Sequence, residues 1–186
     1  MTVWLIGSVV FFAAAAISLL RPLPSIVRAT PGAVLLAALL VARALDVLPE
    51  PPMLQVRVLG ATAVAVLTVL AGSAVTGTVL GFVMRDDVER GTRGGILVRS
   101  ADEPARERPQ PEVLRGGAAI GFLERFAIVG AVLVGHLEIV AAVIAIKGLG
   151  RFTELDTATA RERFIVGTLT SSCWAGVGAY AAVSVI

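Results

Sequence analysis

Residues 116–146 read GGAAIGFLERFAIVGAVLVGHLEIVAAVIAI, and how often this run turns decides the fold. As one helix it is about 46 Å long at 1.5 Å per residue, far beyond a hydrocarbon core of about 30 Å. The polar triplet His136-Leu137-Glu138 offers a place to turn. The sequence therefore predicts two helices, Gly116–Gly135 and Leu137–Gly150, with Lys147 reaching back to the interface on its long stem. Splitting the run makes the chain a six-span protein; leaving it whole makes five.

The same alternation of apolar runs and short polar breaks extends through the rest of the chain. Met1–Leu20 carries no charge and is long enough to span. A cleaved signal peptide would need a basic stretch before its apolar run, whereas Arg21 and Arg28 follow it, so a retained helix is expected. Gly32–Leu48 is a second span, broken by Glu50-Pro51-Pro52, because proline lacks an amide donor and disfavours helix before it. Val58–Met84 is a third and Phe164–Ile186 the last. Between the third and fourth lies Arg85–Arg115, with seven arginines, seven acidic residues and three prolines, which reads as a flexible, solvated linker. Within it, Ile96-Leu97-Val98 is an apolar patch that could touch a membrane surface.

Charge placement separates the two counts. With six spans, the loops after the first, third and fifth helices hold thirteen of the 16 basic residues, and the opposite side holds only Arg43 and Arg57; Arg125 lies within a span. A five-span arrangement puts the basic cluster around Lys147 on the wrong side of the positive-inside rule. The expected fold is thus an all-α polytopic transmembrane helix bundle of six spans, with both termini outside and the linker in the cytoplasm. Its parts are residues 1–84 with three helices, 85–115 as the linker, and 116–186 with three helices and a polar cluster. The expected location is a bacterial inner membrane.

Composition agrees with a lipid-facing chain. Hydrophobic residues make up 56% and charged residues 16%, against about 25% charged in soluble domains. Mean hydropathy is +0.87. The net charge of +2 gives no basis for nucleic-acid binding. One cysteine and one histidine exclude an internal disulfide and a Cys- or His-rich metal centre, so no metal and no cofactor are expected. There is no phosphate-binding Gly-rich loop ending in Lys-Ser/Thr, no His-Glu-x-x-His and no Ser nucleophile elbow. Asp46 alone cannot organise a magnesium site for lipid phosphotransfer. The reading leans away from an enzyme.

The residues that could carry chemistry lie in the C-terminal third. Glu124 and Arg125 sit about two turns into the fourth span, where each charge would cost about 2.5–3.5 kcal/mol at the centre of a lone helix. Neighbours on a helix point about 100° apart, so the two should reach toward different helices. Lys147 and Arg151, at i and i+4, share a face of the fifth helix, and Glu154 follows. Thr168, Thr170, Ser171 and Ser172 lie one to two turns into the last span. Glu124, Arg125, Lys147, Arg151, Glu154, Thr168 and Ser171 thus form a candidate cluster at one depth. It reads either as an ion-pair network holding three helices in register or as a pocket for an anion such as a phosphate or lipid head group. His136 and Glu138 suit an interfacial loop better than a proton relay, and Cys173 suits apolar packing better than thiol chemistry.

Small residues recur at helical spacing: Ser73, Gly77 and Gly81, then Gly117 and Gly121, then Ala175 and Ala179. Such stripes let helices approach closely in lipid, within one bundle or between two copies. Membrane lipids, a second copy or another membrane protein are the expected partners.

The words Gly117-Ala118-Ala119-Ile120-Gly121-Phe122-Leu123-Glu124-Arg125, then Ile146-Lys147 with Arg151-Phe152 and Glu154-Leu155, then Phe164-Ile165-Val166-Gly167-Thr168-Leu169 with Ser171 resemble a family of uncharacterised bacterial multi-pass membrane proteins. The resemblance covers roughly residues 116–175; upstream, only the presence of hydrophobic spans is shared. The family reads Ala-Lys-Ser where this chain has Ile146-Lys147-Gly148, and an acidic-aromatic pair where it has Arg161-Glu162-Arg163-Phe164. What the resemblance implies is a membrane topology and a polar cluster; it supplies no reaction. The expected function is binding or moving an anionic head group or small anion, the alternative being a structural or accessory subunit of a membrane complex.

Overall fold

A computed structural model describes residues 1–84, 89–90, 96–97, 117–151 and 158–186. They contain six helices: α1 (Thr2–Ser18), α2 (Ser25–Ala44), α3 (Leu54–Val83), α4 (Gly117–Leu133), α5 (Leu137–Arg151) and α6 (Ala158–Val183). Two two-residue strands, β1 (Glu89–Arg90) and β2 (Ile96–Leu97), pair antiparallel with Glu89 opposite Leu97. This pairing falls inside the segment the sequence reads as a linker, most of which lies outside the described residues.

α3 is the central helix and packs against α1, α2, α4 and α6, while among the described elements α5 rests only on α4. The Trp4 indole donates to the Pro49 carbonyl at 2.9 Å, tying the start of α1 to the α2–α3 turn. Arg57 donates to the Ile186 carbonyl at 2.7 Å, so the start of α3 and the chain end after α6 meet at that same end of the bundle. α4 runs against α3 and alongside α6: Arg125 meets Ser73 and Ser171, and further on Ile128 and Val129 cluster with Ala65, Ala175 and Ala179. Successive helices therefore alternate in direction.

Local chemistry explains the ends. After α2, Asp46 adopts a left-handed φ of 53°, and the Val47 and Asp46 amides donate to the Ala42 and Arg43 carbonyls at 3.0 and 3.1 Å. After α4, Gly135 does the same at φ 79°, with the His136 amide donating to Ala131 at 2.8 Å. Both are helix stops that satisfy carbonyls the helix leaves open. The turn at His136 thus has its backbone cause in Gly135, where a missing Cβ removes the left-handed penalty.

Several boundaries differ from the sequence reading: α2 ends at Ala44 rather than Leu48, α3 begins at Leu54 rather than Val58, and the starts of α2 and α6 move furthest. α2 begins at Ser25, not near Gly32, and passes through Pro31. A proline that early in the helix removes one amide hydrogen bond, while Pro22 and Pro24 supply the real break. α6 begins at Ala158 and includes Arg161, Glu162 and Arg163, read from the sequence as loop. Their charge reports on surroundings, and their helix propensity is good.

The core is built from small side chains. Among the described residues, twelve of the 22 buried apolar ones are alanine, while Ile6, Leu123, Phe126, Ile146 and Tyr180 are each more than 60% exposed. α3 and α6 come so close at Gly178 that a Cβ there would lie 2.1 Å from the Thr68 hydroxyl oxygen. By length and composition, α2 and α3 are able to cross a membrane, and α1 is a shorter apolar helix.

Candidate functional site

The charged pair in α4 divides between two neighbours, as the 100° step between adjacent helical residues requires. Glu124 turns to α5 and forms an ion pair with Lys147, and both side chains are less than 20% exposed. Val140, Val143 and Lys147 mark, at i, i+3 and i+7, the only partly covered stripe of α5 among its described side chains. Lys147 is therefore the polar member of the seam that holds α5 to α4.

Arg125 turns the other way, between α3, α4 and α6, and is 2% exposed. Its Nε donates to the Val69 carbonyl at 2.9 Å, Nη1 to the Ser171 hydroxyl at 3.1 Å and Nη2 to the Ser73 hydroxyl at 2.9 Å. The guanidinium carbon lies 5.1 Å from the centre of the Phe122 ring, one turn earlier in α4. That stacking adds a weak cation–π attraction.

Two glycines make room for it. A Cβ at Gly72 would lie 2.3 Å from Arg125 Cδ and 2.4 Å from Nε, and one at Gly121 would lie 3.1 Å from Nη1. Without a side chain at 72, the α3 backbone is bare, and two successive carbonyls take a second hydrogen bond. Val69 receives Arg125, and Thr68 receives the Trp174 indole N–H at 2.8 Å. A carbonyl oxygen has two lone pairs, so these bonds can add to the helical ones.

One turn along α3 and α6 from Ser73 and Ser171 lie Thr76 and Thr168. Their hydroxyl oxygens are buried and have no hydrogen-bond partner among the described residues. The Thr76 methyl would be 3.8 Å from a Cβ at Gly167, which places these stretches of α3 and α6 side by side. One turn from the serines that hold the guanidinium, then, are two hydroxyls with no hydrogen bond among the described residues.

The structure therefore brings Glu124 to Lys147 and Arg125 to Ser171, as two separate contacts, with Thr168 nearby. Arg151 is the final residue of α5, and Glu154 lies outside the described residues. Val69, Gly72 and Thr76 were missed from sequence; Ser73 carried a signal as a small residue, but not as a partner of Arg125. In the other stripes Ala175 and Ala179 are fully buried, whereas a Cβ at Gly81 would meet nothing within 4 Å. His136 Nδ1 and Glu138 Oε1 are 2.7 Å apart, both exposed, at the α4–α5 turn. Cys173, expected to pack, is exposed on α6. Among the described residues no group of three or more His, Cys, Asp or Glu is placed to hold a metal ion.

Comparison with protein-family models, with curated proteins and with solved structures finds no match to this chain.

Proposed function

We propose that the chain crosses a bacterial inner membrane six times, with the Arg125 layer in the cytoplasmic half, and that this layer binds an anionic head group or small anion. The inverted distribution of side-chain sizes supports the membrane reading. In water, burying alanine while exposing isoleucine and phenylalanine forgoes the main drive to fold. In lipid there is no such drive, and small residues at helix contacts are what close packing needs.

The observation that carries the anion reading is that buried Arg125 makes no direct ion pair among the described residues. Its guanidinium has five N–H groups, of which three make the bonds above, and among the described residues no carboxylate lies in ion-pair range. Glu124, the next residue, attracts Arg125 through space, but its carboxylate is paired with Lys147. A buried charge without a direct ion pair is costly, a cost that hydroxyl and carbonyl partners offset only in part. An anion accepting the two remaining N–H groups and the free hydroxyls of Thr76 and Thr168 would satisfy both needs. Thermal unfolding of the detergent-solubilised chain in chloride, sulfate and inorganic phosphate tests this. Binding at about 100 times Kd adds about 2.7 kcal/mol to stability. The midpoint should rise with one of these anions in the wild type and stay flat in Arg125→Gln. A wild-type midpoint indifferent to all three refutes the reading.

A second reading is favoured by the Glu124–Lys147 pair and by the tight seat of Arg125 on Gly72. In it, the polar groups only fix helix register, and the protein serves as a structural subunit.

A further inference from the structure

At the opposite end of the bundle from the basic loops, α1, α2 and α3, with Leu48 and Val185, line a half-open cavity of about 250 Å³. Trp4, Gly7, Ser8, Phe11, Leu39 and Val64 are among the residues that line it. It offers almost no polar atom to a guest. The Trp4 indole N–H is committed to the Pro49 carbonyl, and the Ser8 hydroxyl donates to the Trp4 carbonyl of its own helix at 2.8 Å. Val3 and Ala38, also in its wall, are exposed, so the cavity opens sideways between α1 and α2. Gly7 is part of its wall, and a Cβ there would meet nothing within 4 Å, so this position accepts a larger side chain. The volume falls below the roughly 300–1,000 Å³ of pockets that enclose drug-sized ligands, and suits a slender chain.

Charges stand at one end of this cavity. Ala42 lines it, and the next residue, Arg43, lies 3.5 Å from Glu50, which is also 3.9 Å from Arg57. Asp46 is exposed on the same turn. Two cations and two carboxylates together match a ligand that carries both signs better than one that carries a single negative charge.

We propose that this cavity holds one acyl chain of a glycerophospholipid whose head group bears a phosphate and an ammonium, as in phosphatidylethanolamine. Arg43 faces the phosphate, and Glu50 and Asp46 face the ammonium, while Arg57 stays on the Ile186 carbonyl and beside Glu50. The site rests on the bilayer reading above but is independent of the anion layer. A free fatty chain would fill the cavity without using the charges, and an anionic lipid would leave the two carboxylates opposed.

The test uses the full chain in detergent, with native mass spectrometry measuring apparent Kd for phosphatidylethanolamine and phosphatidylglycerol of matched chains. The wild type should bind the ethanolamine lipid several-fold more tightly. Gly7→Leu, which adds bulk at the cavity wall, should weaken both lipids about tenfold or more, a change of about 1.4 kcal/mol. Gly130→Leu serves as a control, since a Cβ there also meets open space but lies on α4 away from the cavity. It should bind as the wild type does. Arg43→Gln should bring the ratio of the two affinities toward one while retaining chain binding. Equal affinities in the wild type, or Gly7→Leu binding like Gly130→Leu, overturn the proposal. Flotation of the same proteins with vesicles of either lipid separates the two levels. A chain that fails to float sinks the bilayer reading and this site with it, whereas flotation without selectivity sinks this site alone.

Discussion

Replacing Gly72 with alanine should disable Arg125 without touching a charge. The new methyl would lie 2.3 Å from Cδ and 2.4 Å from Nε, where carbon contacts settle at about 3.5–4.0 Å. The side chain must withdraw by about 1 Å or more, enough to stretch the 2.9 Å bond to the Val69 carbonyl beyond hydrogen-bond range. The bonds to Ser73 and Ser171 depend on the same planar group and shift with it. Hydrogen bonds to charged groups contribute about 1.5–3 kcal/mol each, and partial recovery is expected, so a net loss of about 2–4 kcal/mol follows. Reversible unfolding in mixed micelles by added denaturing detergent measures it, with Arg125→Ala and the double variant completing a cycle. Arg125→Ala removes the group that a methyl at position 72 would strike, so the double variant should be no less stable than Arg125→Ala alone. A loss below about 0.5 kcal/mol for Gly72→Ala, or additivity of the two changes, refutes the seat described here.

Three other substitutions address separate features. Breaking the Glu124–Lys147 pair with Lys147→Ala should cost about 3 kcal/mol in the same assay, and Glu124→Lys with Lys147→Glu should recover part of it; no recovery would show that the pair does not join α4 to α5. Gly178→Ala should cost about 1–3 kcal/mol by overpacking against the branched, rigid Thr68 side chain, and Thr68→Ser should not rescue it fully, since the hydroxyl oxygen is the nearest atom. Gly135→Ala should cost about 1–2 kcal/mol although a Cβ there meets nothing within 4 Å, because the penalty is left-handed backbone; a neutral result would contradict that conformation.

Much of this architecture was legible because long apolar runs are crude signals of helix that survive local irregularity. The turn at His136 was visible in its polarity, though Gly135 is what makes it. The start of α2 was hidden by Pro31, because a proline two turns into a helix looks the same in sequence as one that ends it. The start of α6 was hidden by Arg161-Glu162-Arg163, where polarity was read as absence of helix. The divergence of Glu124 and Arg125 follows from helical geometry alone. Their partners divide by chemistry. Lys147 could be anticipated from its opposite charge, and Ser171 from its position in the last helix. Val69 could not, because it acts through a backbone carbonyl that every residue has, exposed only by the missing side chain at Gly72. The α1–α2 cavity left no trace in sequence, being an absence of atoms between residues that individually look like ordinary packing.

Six bilayer crossings, with the basic loops in the cytoplasm, are the premise under every functional statement above. Single cysteines introduced by His136→Cys and Arg99→Cys in a Cys173→Ser background, labelled with a membrane-impermeant maleimide in intact bacterial cells and again after lysis, probe that premise without relying on any ligand. Position 136 should label in intact cells, and position 99 only after lysis. Labelling of position 99 in intact cells, or recovery of the chain in the soluble fraction, would be incompatible with six crossings in this orientation.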